Sequence, residues 1–136
     1  MLQQDYLLRM FLQLATAIRD SWQRARGDKD PLTAATMLEN TIEDATDMDG
    51  GLLLRMTPES MAAMLELTQP DHQLMEYISR TLLLASQYLK EGGEVTESNL
   101  RREQAYAVAA KFGVELSDET ITPEALEAFF ESTRPQ

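Results

Sequence analysis

The sequence predicts an all-α fold, an array of antiparallel helical hairpins built from about six helices in a single domain spanning residues 1–136. Three observations predict it. Asp30-Pro31, Thr57-Pro58 and Thr122-Pro123 each place a capping side chain directly before proline. Proline is suited to the first helical position, where its missing N–H would be unpaired anyway, and the preceding Asp or Thr accepts a bond from a free backbone N–H. Apolar residues recur at spacings of three and four, the period of one helix face. No segment alternates with period two for long enough to form a strand; the nearest, Val114 to Ile121, is interrupted by Ser117-Asp118-Glu119.

Taken in order, the first helix is expected from about Asp5 to Arg26, stopped by Gly27, with Leu7, Phe11, Leu14 and Ile18 on one face. Leu8, Leu12, Ala15 and Trp22 make an adjoining apolar stripe. A helix that is apolar on two faces is either central in its domain or shared with a partner. The second helix is expected from Pro31 to about Met48, before Gly50-Gly51. Leu52 to Met56 reads either as a short helical turn or as an extended stretch covering the core. The third runs from Pro58 to about Leu67, ahead of Pro70. The fourth is capped by Asp71 and runs to Glu91, with Leu74, Ile78, Leu82, Ala85 and Leu89 on one face. Gly92-Gly93 leads to the fifth, about Glu97 to Phe112, with Gly113 placed to close it in the left-handed conformation. An acidic terminal helix occupies about 123–133, with Leu126, Phe129 and Phe130 as anchors. From Gly113 to Thr133 there are six acids and no base.

Composition narrows the function classes. At 136 residues the chain has the size of one domain. It has no cysteine, which excludes disulfides and cysteine-ligated zinc. Asp5 and Arg9 interrupt the apolar N-terminal stretch, which lacks a basic leader, and no apolar run approaches the ~20 residues of a membrane span. A soluble cytoplasmic protein is the expectation. There are 12 Lys and Arg against 23 Asp and Glu, a net charge of −11, which disfavours a nucleic-acid surface. The one basic cluster, Arg19, Arg24, Arg26 and Lys29, is interleaved with Asp20, Asp28 and Asp30.

No catalytic motif emerges. The single histidine, His72, cannot form a paired-histidine metal site. No serine lies in a Gly-x-Ser-x-Gly elbow, and the glycine pairs read as helix ends rather than phosphate cradles. Glu39, Glu43, Asp44, Asp47 and Asp49 form the densest acidic cluster, and Glu39, Glu43 and Asp47 share a helix face that would suit a hard cation. A calcium loop centred on Gly50 would need ligands at Ala45 and Met56, which cannot supply carboxylates. A solvated face, or one that docks a basic segment, is the alternative. Met48, Met56, Met61, Met64 and Met75 read either as core fillers or as an adaptable groove. Arg101 and Arg102 open the fifth helix, where the dipole disfavours cations. An ion pair with Glu97 or with an acidic cluster elsewhere would explain them.

Two resemblances follow from these residues. Leu82 to Gly93, followed by Leu100-Arg101-Arg102-Glu103-Gln104-Ala105, resembles one tetratricopeptide-type hairpin at about 74–112, with Ala105, Ala107, Ala109 and Ala110 allowing close approach of the two backbones. Gln4-Asp5-Tyr6, Gly51 to Ser60, Leu82-Leu83-Leu84 and Leu100 to Ala105 together resemble an uncharacterised bacterial family of short all-helical proteins, a domain of unknown function. That resemblance implies a fold and a source but no activity. The function expected is therefore a non-enzymatic protein–protein interaction or scaffold module that needs no cofactor. Its protein partner is unnamed, and self-association as a dimer through the first helix is included. Leu8, Phe11, Leu12, Trp22, Met61 and Met64 are the candidate contact residues. A divalent-metal protein using Glu39, Glu43 and Asp47 is the alternative.

Overall fold

A computed structural model describes residues 2–48, 51–68 and 71–134. Among them the chain forms six α-helices and no strand: α1 Leu2–Trp22, α2 Pro31–Thr46, α3 Pro58–Thr68, α4 His72–Glu91, α5 Val95–Phe112 and α6 Pro123–Ser132. Short 3₁₀ turns occupy Leu53–Arg55 and Asp118–Ile121, and α1 runs on into a π-helical turn at Gln23–Gly27. None of the described helices is long and apolar enough to cross a membrane. Asp49, Gly50 and Pro70, read from sequence as a cluster member and as helix stops, lie outside the described residues.

The caps form as their chemistry requires. The side chains of Asp30, Thr57, Asp71 and Thr122 accept from the backbone N–H groups of Thr33, Ser60, Leu74 and Ala125, at 2.8–3.2 Å. At the other ends, α5 closes on Gly113 with φ 68°, and α2 closes two residues earlier than its pattern suggests. Asp47 turns left-handed with φ 56°, a conformation Asp tolerates better than most residues. The ambiguous stretch at Leu52 resolves as a 3₁₀ turn whose Leu53 and Leu54 are buried.

α4 is the centre of the bundle. It packs against α5, α2 and α1 and against the 118–121 turn, so it is buried well beyond its one predicted face. Leu83 and Leu84 are buried as well as Leu82 and Ala85. Its buried serine and threonine hydroxyls are satisfied within the helix. Ser79, Thr81 and Ser86 donate to the carbonyls of Glu76, Tyr77 and Leu83 at 2.6–3.0 Å, so each enters the core without an orphaned polar atom. α5 folds back along α4, and α3 packs on α5. Of the alanines expected at this contact, Ala105 and Ala109 are buried, while Ala110 faces solvent.

A buried polar network fastens the segment before α3. Arg101 donates through Nε to Glu39 at 2.7 Å and through Nη1 to the Leu54 carbonyl at 2.7 Å. Gln104 donates to the carbonyls of Leu54 and Met56, both at 2.9 Å. The cation placed against its helix dipole is thus the link between α5, α2 and the 53–55 turn. Arg102 pairs with Asp118 instead.

Candidate functional site

α1 presents its two apolar faces differently. Leu14 and Ile18 are fully buried and Phe11 nearly so. In the adjoining stripe Ala15 is buried, Leu8 and Trp22 are half-buried, and Leu12 is 65% exposed. Between this stripe and α6 lies a groove of about 220 Å³ walled by Leu8, Phe11, Leu12, Ala15, Tyr77 and Phe130, with Arg19, Thr133 and Arg134 at its edge. Pockets that enclose small ligands start at about 300 Å³, so this groove suits one or two apolar side chains rather than a metabolite.

Tyr77 is the hub beneath the groove. Its ring stacks on Phe11 at 4.9 Å and on Phe130 at 6.0 Å, and meets Phe129 tilted at 4.5 Å. Its hydroxyl shares a 2.6 Å hydrogen bond with Thr133, and burial pushes the phenol above its ordinary range. One side chain on α4 therefore ties α1 to α6. Arg80 lies over Phe129 at 4.2 Å and donates to the Thr120 carbonyl, holding the approach to α6.

Arg19 closes the groove's edge. It bonds both oxygens of Glu127, at 2.7 and 2.8 Å, and its guanidinium sits 5.0 Å from the centre of the Phe130 ring. The Arg19 hydrogen bond holds the Glu127 carboxyl below its ordinary range. A carboxyl lowered in this way stabilises the fold fully above its unfolded pKa, and the contribution is lost as pH falls through the folded value. Both side chains are close to half exposed, so solvent screens the pair and it contributes at most about 1 kcal/mol. Glu127→Gln is expected to melt slightly below wild type at neutral pH. Thermal melts on acidification should show the gap closing below the ordinary carboxylate range; a gap that persists unchanged in acid would exclude this linkage.

No protein-family model, curated protein or solved structure matches the chain.

Of the six contact residues expected from sequence, Leu8, Phe11 and Leu12 come together in the groove. Trp22 lies apart, in a cleft with Leu84, Gln87 and Ile121. Met61 is a correction. It is fully buried, because α3 turns it and Leu65 inward beneath α5, so it presents nothing to a partner. Met64 is half-buried and packs on the core, as do Met48 and Met56, while Met75 is fully buried. These five methionines pack in or against the core and do not line a shared exposed groove.

The acidic cluster also resolves differently from a cation site. Glu39 is taken by Arg101. Glu43 accepts from the Gly51 N–H at 2.5 Å, and Asp47 ends the helix. Among the described residues no three His, Cys, Asp or Glu side chains converge as metal ligands would. In the basic cluster, Arg24 pairs with Asp28 and Arg26 with Glu91, so most of its charge is met within the chain. His72 is exposed in the first turn of α4. Sequence reasoning missed Tyr77 and Gln104, whose roles depend on contacts across the fold.

Proposed function

We propose that this protein is a non-enzymatic protein–protein interaction module that pairs two copies of itself through the exposed stripe of α1. The observation that carries the reading is Leu12, 65% exposed beside half-buried Leu8 at the mouth of an apolar groove. Charge confines a second copy, as the occupant, to this face. The chain is strongly acidic, with a net charge of −11, so most faces of two copies repel. α1 carries Asp5 and Asp20 against Arg9 and Arg19 and is neutral, leaving it a face on which two acidic molecules can meet. Exposed apolar residues rimmed by charge of both signs are the usual anatomy of such a contact.

Light scattering on the eluting protein at high micromolar concentration tests this. Wild type is expected to elute as a dimer of the 15.4 kDa chain. Leu12→Glu is expected to elute as a monomer with unchanged helical content, since an exposed substitution removes no core contact. A wild-type monomer would overturn the reading, as would a Leu12→Glu dimer.

A further inference from the structure

We infer that the two copies cross antiparallel about Leu12, with Asp5 of each facing Arg19 of the other; this rests on the self-association proposed above. Asp5, Leu8, Leu12, Ala15 and Arg19 follow one another at spacings of three, four, three and four, which places them on a single stripe of α1. Leu12 is at its centre. Asp5 and Arg19 each lie seven residues from it, about 10.5 Å along the axis at the helical rise. In a twofold contact residue i meets j and j meets i. Reversing one copy about Leu12 therefore superimposes the acid of each on the base of the other. It also brings Leu8 against the exposed Thr16 of the second copy, a smaller residue that leaves room for a larger one. Parallel packing would set Asp5 against Asp5 and Arg19 against Arg19, which is repulsive at both ends.

The two charges are available for this contact. Asp5 is exposed and makes no ion pair among the described residues. Arg19 spends Nε and Nη2 on Glu127, which leaves Nη1 for a second carboxylate. A guanidinium with five donors can serve two carboxylates at once.

Charge reversal tests the register. Asp5→Lys and Arg19→Glu, each alone, are expected to weaken dimerisation roughly tenfold or more, because each puts like charges together twice per dimer. Mixed in equal amounts, the two variants are expected to form a heterodimer of near wild-type affinity, since every altered side chain then meets its opposite. Sedimentation of the mixture reads this directly. A mixture no more dimeric than its parts, beside a dimeric wild type, would overturn the register while leaving self-association standing. A monomeric wild type would remove both.

Because Arg19→Glu also faces Glu127, a second measurement leaves that contact intact. The chain has no cysteine, so single thiols can be introduced cleanly. Leu12→Cys is expected to cross-link to its copy with a short thiol reagent. Asp5→Cys is not, because its two sites lie about 21 Å apart along the axis. Cross-linking at both positions would establish parallel pairing, and at neither a different face; each result contradicts the inference.

Discussion

Tyr77→Ala is expected to lower stability by about 3–5 kcal/mol, the cost of truncating a large buried aromatic, and to reduce the melting temperature by roughly 10–20 °C. Tyr77 is 1% exposed and meets three rings. Its loss opens a cavity where α1, α4 and α6 join, and each aromatic pair contributes beyond its buried area. α6 should lose the most, because Phe129 and Phe130 both rest on this ring. Tyr77→Phe is the control. It keeps the stacking and removes only the bond to Thr133, whose hydroxyl retains the Phe130 carbonyl at 3.0 Å, so a loss near 1 kcal/mol is expected. Chemical denaturation of both variants checks this, with exchange protection of the α6 amides showing where the loss falls. If Tyr77→Ala costs no more than Tyr77→Phe, the ring cluster is not what docks α6.

The second large effect is expected at Arg101. Its side chain is 9% exposed and that of Glu39 16%. Arg101→Met strands a part-buried carboxylate and leaves Gln104 Oε1 without its donor at 3.1 Å. Breaking such a pair from one side costs about 3–5 kcal/mol. Replacing both charges together is far milder, because well-packed apolar groups carry no desolvation penalty. Glu39→Leu with Arg101→Met is therefore expected to be considerably more stable than Arg101→Met alone, which a double-mutant cycle reads as a large coupling. Limited proteolysis should also cut faster around the 53–55 turn in Arg101→Met, since Leu54 loses one of its two side-chain donors. An unchanged cutting rate there would mean that Gln104 alone holds the segment.

The part of this fold legible in the sequence is the part fixed by neighbours along the chain. Asp30, Thr57, Asp71 and Thr122 cap helices because a short polar side chain bonds a backbone N–H three residues on, and that can be read locally. The inward face of α1 follows from a periodicity that Phe11, Leu14 and Ile18 satisfy over several turns. The outward stripe was legible too, but not which of its members stays open. Ala15 is 5% exposed and Leu12 65%, a difference set by how elements distant in sequence pack beside α1. Met61 and Met64 show the limit from another direction. α3 is 11 residues long, and so short an apolar segment does not say which methionine lies beneath α5. Tyr77 and Thr133 are 56 residues apart and Arg101 and Glu39 are 62 apart; no local rule connects them. Arg101 did leave a trace, as a cation at the wrong end of a helix, and its partner lies in the acidic cluster of α2. That same pairing removes Glu39 from the cation site its spacing suggested.

Self-association through α1 is tested most directly by amide chemical shifts followed on dilution from high micromolar concentration, where two copies pair, to concentrations where they separate. The expected changes lie at Asp5, Leu8, Leu12, Thr16 and Arg19, with α3 and the outer face of α5 unmoved. Shifts that stay constant throughout, or that move on α3 and α5 while α1 stays fixed, would contradict the account.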